Sequence, residues 1–234
     1  MSIIDKRIKI VSIDGNIGSG KSTLVSKMKQ YHTSSTFVID FVLEPTSEWD
    51  EVVDSSGRTM LNLFYQNQDK YAFPFQMMAF ITRYKVLKDS LDKAKQYLIE
   101  HPDTVRYIII TERSLYTDKY IFAKMLFDDK KIEQVNYTIY NKWFDVFAQD
   151  IPIHKQVYVY TPWSECKSRI DERNRDGESC ISNGYLERCE EYHKDMMGEM
   201  SLSQDVFKLD GLENIHTHEV FIKWYADLMN YVNM

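Results

Sequence analysis

Residues Gly15-Asn16-Ile17-Gly18-Ser19-Gly20-Lys21-Ser22-Thr23 satisfy the spacing G-x4-G-K-[ST], which suits a loop that grips phosphate. Glycines let successive backbone N–H groups turn toward phosphate oxygens, and a helix starting at Lys21 adds the positive end of its dipole. The Lys21 ammonium would neutralise the β- and γ-phosphates of a nucleoside triphosphate, and the Ser22 hydroxyl would ligate Mg2+. The guanine-reading NKxD pattern of GTPases does not occur, and no aspartate closes an apolar strand in the usual Walker-B position. Instead the apolar run Tyr107–Thr111 leads into Glu112-Arg113-Ser114. Glu112 is placed to hold Mg2+ through water, and Arg113 to reach the substrate side.

A second cluster is cationic. Arg169, Arg173 and Arg175 follow one another in R-x3-R-x-R spacing, with Glu178 three residues on. Arg169 and Arg173 share one face of a helix at i, i+4. Guanidiniums that close over a transferring phosphoryl group stabilise the charge spread over its oxygens. The polar stretch over 169–184 therefore reads as a closing lid. Alone it would be a solvated helix end; beside a phosphate loop the catalytic reading prevails.

These groups need a scaffold that brings strand ends together. Short runs rich in Val, Ile, Tyr and Phe occur at Ile8–Asp14, Phe37–Leu43, Val105–Thr111, Gln156–Tyr160 and Val206–Leu209. They suit strands buried on both faces of a parallel sheet. Amphipathic stretches lie between them: Lys21–Tyr31, Phe75–Glu100, Thr117–Phe127, Ile132–Ala148, Ser164–Arg173, Tyr185–Met200 and Glu219–Tyr231. The alternation predicts an α/β fold of five parallel strands with helices on both faces, binding ligands at the strands' carboxyl ends. With 234 residues, 44% of them hydrophobic, and no linker-like stretch, residues 1–234 read as one domain.

Composition excludes several classes. No apolar run approaches the ~20 residues of a membrane span, and no signal peptide opens the chain. Cys166, Cys180 and Cys189 form no CxxC pair, so neither a disulfide framework nor a zinc site is expected. A net charge of −6 opposes tight binding to a nucleic acid polymer. A cytoplasmic enzyme with a small anionic ligand is the expectation.

Taken in order, the phosphate loop, Glu44-Pro45-Thr46-Ser47-Glu48-Trp49, Tyr65, Phe75-Gln76, Glu112-Arg113-Ser114, Asp118 through Phe122 and the arginine lid resemble the deoxyribonucleoside kinases. That family includes deoxycytidine, deoxyguanosine and insect multisubstrate kinases, with mitochondrial thymidine kinase as a relative. The resemblance implies a P-loop NTPase-like three-layer sandwich that transfers the γ-phosphate of ATP, UTP or another triphosphate, with Mg2+, to a deoxynucleoside 5′-hydroxyl. It implies Glu44 as general base, with Arg113 orienting it and Arg175 acting on the phosphate. Arg169, Arg173 and Asp210 would meet the donor. Tyr65 and Glu178 would hold the sugar 3′-hydroxyl, and Gln76 the base edge. Phe75 and Phe122 would form aromatic walls, with Trp49 packed beside them. The family also implies a homodimer.

Arg83 lies seven residues after Gln76, with Ala79 between them on one helical face. With Asp118, Arg83 forms the pair that deoxycytidine- and purine-preferring relatives carry near the base. The resemblance thus implies deoxycytidine and purine deoxynucleosides ahead of thymidine. Thymidylate kinase is the nearest enzymatic alternative, and a catalytically inactive structural relative the alternative of another class. The Glu-Pro-x3-Trp segment and the Phe-Gln pair favour a nucleoside acceptor, and intact Lys21, Glu44, Arg113 and Arg175 favour activity.

Overall fold

The computed structural model describes residues 4–33, 37–175, 177–202 and 205–233. Strands β1 (Ile8–Asp14), β2 (Val38–Val42), β3 (Tyr107–Glu112), β4 (Lys155–Tyr160) and β5 (Val206–Asp210) form one sheet in the order β2-β3-β1-β4-β5. Every pairing is parallel. The chain thus has the α/β architecture of five parallel strands that the alternation of segments predicts, and it matches the P-loop NTPase-like fold that the resemblance implies.

Period-two alternation sends each strand's side chains to two cores. Val11, Ile13, Ile108, Ile110, Val157 and Val159 pack against α1 (Lys21–Tyr31) and α10 (His218–Asn233). Ile8, Ile10, Tyr107 and Ile109 pack on the opposite face against α4 (Gln68–Glu100) and α7 (Gln134–Phe147). Both faces being covered explains why the strands read as unbroken apolar runs. Among the described residues no helix is long and apolar enough to cross a membrane.

Three stretches differ from expectation. The helix predicted from Phe75 begins at Gln68, because the Asn67 side chain accepts the Lys70 N–H and caps it. Pro74 falls near that end of the helix, where little of the hydrogen-bond ladder has been built, and buried Ala72 and Phe75 hold the turn in place. Two short helices, α2 (Thr46–Asp50) and α3 (Met60–Gln66), occupy ground with no periodic signal. The helix predicted over Thr117–Phe127 is broken into α5 (Leu115–Thr117), a π-helical stretch Asp118–Ala123 and α6 (Lys124–Asp128). Ser114 and Thr117 close a capping box at its start. Beyond β4 the chain forms α8 (Trp163–Arg173) and then α9 (Asn183–Met200), which the Ser182 hydroxyl caps by accepting the Tyr185 N–H.

Candidate active site

The phosphate loop leaves the carboxyl end of the central strand β1 and runs into α1. Its backbone demands glycine at Gly18, where φ is +80° and a Cβ would lie 2.6 Å from the Cys166 carbonyl oxygen. Asn16 is buried and structural: its amide donates to the Leu186 carbonyl at 2.9 Å and its side-chain oxygen accepts the Ile17 N–H at 2.8 Å. Lys21 donates to the Asn16 carbonyl at 2.6 Å and to the Ser19 hydroxyl at 3.4 Å. Burial, then the nearby Arg113 guanidinium, pull the Lys21 ammonium down to about 8. Beneath the loop, the buried Asp14 carboxylate accepts from Ser12, Thr117 and Gln156, tying β1 to β4 and to the end of α5.

Glu44 stands just beyond β2, where Pro45 ends the extended run and opens α2. Its Oε1 accepts from Arg83 Nη2 at 2.6 Å and from Arg113 Nη1 at 2.8 Å, and its Oε2 also accepts from Arg113 Nη1 at 2.8 Å. Burial raises its pKa, but the charges of Arg113 and Arg83 outweigh that and hold it down to about 2. Asp118 shows the opposite balance. It accepts from Arg83 Nε at 2.8 Å, yet burial is the larger effect and its carboxyl is shifted upward. Arg83 completes its set by donating Nη1 to the Glu112 carbonyl at 3.0 Å. Arg113 adopts φ +63°, a conformation that costs a non-glycine residue about 1–3 kcal/mol, and its guanidinium lies 5.1 Å from the Phe122 ring centroid. Its Nε is buried without a hydrogen-bond partner.

An open-mouthed cavity gathers these groups with Trp49, Tyr65, Phe75, Gln76, Ala79, Phe122 and Glu178. Trp49 meets Phe75 edge-on at 5.5 Å and donates its indole N–H to Thr82 at 2.9 Å. The side-chain oxygen of buried Gln76, which lines the same cavity as Arg83 and Asp118, has no hydrogen-bond partner. Thr46, Leu61 and Tyr185 also line the cavity, although nothing in their local sequence marks them. Tyr185 packs edge-on against Tyr65 at 5.9 Å.

A second cavity opens on the other side of the phosphate loop. It is lined by Gly18, Ser19, Gly20, Lys21, Ser22 and Thr23, by Arg169 and Arg173, and by the loop Gly211–His216 with Trp224. Arg169 is braced over its mouth by Glu165 at 2.9 Å and the Gly211 carbonyl at 2.8 Å. Asp210, expected at the donor, lies outside the lining; its carboxylate accepts the Leu212 N–H at 3.0 Å and shapes the loop instead. Arg173 borders both cavities and donates Nη2 to Glu178 Oε2 at 2.5 Å. Arg175 Nη1 lies 3.8 Å from Glu178 Oε1. Asp176, within the expected lid, lies outside the described residues.

The residues at the junction of the two cavities suit Mg2+. Ser22 Oγ donates to Glu112 Oε1 at 2.6 Å, so a hydroxyl and a carboxylate stand together beside the phosphate loop. No group of three or more His, Cys, Asp and Glu side chains that could cage a metal occurs among the described residues. Mg2+ bound through phosphates needs no such cage, only one or two protein oxygens.

Comparison with known proteins agrees with this geometry. The deoxynucleoside kinase family profile matches residues 11–233. The chain is 30% identical over 220 residues to deoxycytidine kinase 2 of Gallus gallus, covering 87% of this chain and 79% of that protein. It is 31% identical over 204 residues to deoxycytidine kinase of Rattus norvegicus (80% and 75%). It is 26% identical over 205 residues to the mitochondrial deoxyguanosine kinase of Xenopus laevis (81% and 73%). With a phosphate loop between two cavities and a carboxylate–arginine cluster in one of them, the chain belongs to the deoxynucleoside kinase family.

Proposed function

We propose that this kinase transfers the γ-phosphate of ATP, or of UTP or another triphosphate, to the 5′-hydroxyl of a deoxynucleoside. Deoxycytidine and purine deoxynucleosides are its preferred acceptors, ahead of thymidine. The observation that carries this reading is Glu44: an ionised carboxylate, held by Arg113 and Arg83, in a cavity that Gly18, Lys21 and Ser22 also line.

In this reading the nucleoside lies between Phe75 and Phe122, with its base toward Gln76, Arg83 and Asp118. Its 3′-hydroxyl meets Tyr65 and Glu178. Glu44 accepts the 5′-hydroxyl proton as the O5′–P bond forms and the bond from γ-phosphorus to the bridging oxygen breaks, leaving a nucleoside diphosphate. A carboxylate of low pKa suffices, because in a loose transition state the attacking oxygen loses its proton late. Arg113 orients Glu44 and the 5′-oxygen. Lys21 from the phosphate loop, with Arg173 and Arg175 from a lid over 169–184, stabilises charge on the transferring oxygens, and Arg169 holds the donor. Ser22 and Glu112 would hold Mg2+, which would supply positive charge beside the phosphates.

Residues 1–234 form one kinase domain in this reading, and two copies associate. The support for association is an exposed apolar stripe on α7 at helical spacing, Val135, Ile139, Trp143 and Val146. The free thiols of Cys166, Cys180 and Cys189 fit a reducing cytoplasm, and the net charge of −6 fits a small-molecule substrate rather than a nucleic acid.

The test is a steady-state assay of deoxycytidine, deoxyadenosine, deoxyguanosine and thymidine with ATP or UTP and Mg2+. The expected result is 5′-phosphorylation, with kcat/KM for thymidine lowest. Phosphorylation of thymidine monophosphate but of no nucleoside would assign the chain to the other activity.

A further inference from the structure

Among the described residues of the lid, Glu178 is the least solvated acid. Its side chain is 6% exposed, it lines the nucleoside cavity with Tyr65, and its partner Arg173 is 42% exposed. The segment carrying it is pressed onto α3, the helix that bears Tyr65. At Gly177 φ is +83°, and a Cβ there would sit 3.0 Å from the Asn62 side-chain oxygen. Arg173 donates both Nη2 (2.5 Å) and Nε (3.2 Å) to the same oxygen, Glu178 Oε2, while Arg175 lies 3.8 Å from the other. A carboxylate so far out of water needs donors. The same two arginines are the ones a triphosphate would draw away, since several phosphate charges outbid one carboxylate.

We propose that Glu178 stands in for the donor's phosphate on Arg173 and Arg175, so that donor binding releases Glu178 to accept the sugar 3′-hydroxyl. This rests on the reading of Glu178 and Tyr65 as the sugar site. The contact makes the two substrate sites one thermodynamic unit. Before the triphosphate arrives, Arg173 hydrogen-bonds Oε2 and the Arg175 guanidinium stands 3.8 Å from Oε1, so the carboxylate's charge is already compensated and a 3′-hydroxyl adds little. Afterwards the carboxylate lacks a partner, and the 3′-hydroxyl supplies it. Linkage requires the converse too: a nucleoside with a 3′-hydroxyl tightens donor binding by the same factor.

The experiment is calorimetric titration with deoxycytidine and with 2′,3′-dideoxycytidine, each without and with Mg2+ and an ATP analogue whose β–γ bridge is nitrogen. Deoxycytidine is expected to bind about 5- to 150-fold tighter with the analogue, the usual span of coupling between sites, and dideoxycytidine about equally in both conditions. The variant Arg173→Ala/Arg175→Ala frees Glu178 from the start. It is expected to bind deoxycytidine tighter than the wild type does in the absence of the analogue, a gain that loss of a merely structural contact would not produce. Because the variant strips a buried carboxylate of its donors, its thermal unfolding is measured alongside, and the titrations are run below its melting point. If the analogue tightens both nucleosides alike, or the double variant gains no affinity, the coupling is overturned. If deoxycytidine outbinds dideoxycytidine by one constant factor in both conditions, the sugar site stands and the coupling alone fails. If the two nucleosides bind alike throughout and Glu178→Gln changes neither, the sugar-site reading falls as well.

Discussion

Lys21 rests its ammonium on the carbonyl oxygen of Asn16, five residues back in the same loop, at 2.6 Å. The contact holds a buried cation at the place a phosphate oxygen would neutralise it, and burial brings that cation down to about 8 from an ordinary 10.5. The sign follows from proton counts. Between pH 8 and 10.5 the unfolded chain holds the proton more tightly, so the stability contribution of this group is full above pH 10.5 and is lost as pH falls through 8. For the ligand the direction reverses: phosphate favours the charged form, so at pH 9 triphosphate binding takes up as much as ~1 proton. Titration in two buffers of different ionisation heat measures the uptake. Equal heats in both buffers would refute it, and Lys21→Met is expected to abolish the difference.

Glu44 makes a paired prediction of activity and stability. Glu44→Gln keeps the shape and removes proton acceptance, and it is expected to lower kcat by ~10²–10⁴-fold with nucleoside binding intact. It also withdraws negative charge from between Arg83 and Arg113, so urea unfolding at pH 7 is expected to show a loss of about 1–3 kcal/mol. Because the Glu44 pKa is depressed to about 2 from 4.5, that difference is full above pH 4.5 and shrinks as pH falls toward 2. A variant with turnover within threefold of wild type would remove Glu44 from the general-base role.

The apolar stripe of α7 gives a third prediction. Trp143 is 42% exposed and stacks on Phe147 at 5.4 Å, which in turn meets Tyr84 of α4 at 4.8 Å. Light scattering is expected to give twice the mass of one chain for the wild type and a single-chain mass for Trp143→Glu. A wild-type mass of about 28 kDa at micromolar concentration would show that the stripe does not join two copies.

Local chemistry was legible in the sequence where it was contiguous. The phosphate loop reads directly, because its glycines, Lys21 and Ser22 act within one turn of chain, and the boundaries of α1 match the expected ones. Strand β3 was legible because burial on both faces leaves it almost wholly apolar. What stayed hidden depends on contacts between distant segments. Glu44 and Arg83 are 39 residues apart, and only the crossing of α4 over the ends of β2 and β3 lets the guanidinium reach the carboxylate. The Asp14 network spans more than a hundred residues, and Asp14 looked like an ordinary strand end. The π-helical stretch that carries Asp118 and Phe122 has the apolar spacing of an ordinary helix, so its extra residue left no mark.

Base preference is the most exacting test of the cavity. Gln76, Ala79 and Arg83 lie along one face of α4, and all three are buried. Arg83 donates to Asp118, to Glu44 and to the Glu112 carbonyl, so it stands as a fixed cation with Asp118 at its side rather than as a mobile arm. A cytosine or purine presents amino groups and ring nitrogens that can match this pair and the Gln76 amide. Thymine brings a methyl group into the same space and leaves buried polar groups unmatched, which a site of this kind penalises heavily. Removing one charge alone strands the other: Arg83→Met leaves Asp118 buried without its guanidinium, at a cost of about 3–5 kcal/mol. Removing both avoids that penalty, so Arg83→Met/Asp118→Ala is expected to melt above Arg83→Met. The double variant is also expected to raise the ratio of kcat/KM for thymidine over deoxycytidine by about 10–200-fold, the range a methyl-sized change in a pocket commands. The measurement is kcat/KM for both nucleosides at saturating ATP and Mg2+, beside thermal unfolding of the three proteins. An unchanged ratio would make the Arg83–Asp118 pair a structural tie between α4 and the π-helical stretch. A wild-type enzyme that favours thymidine over every other deoxynucleoside would overturn the base preference while leaving the kinase activity in place.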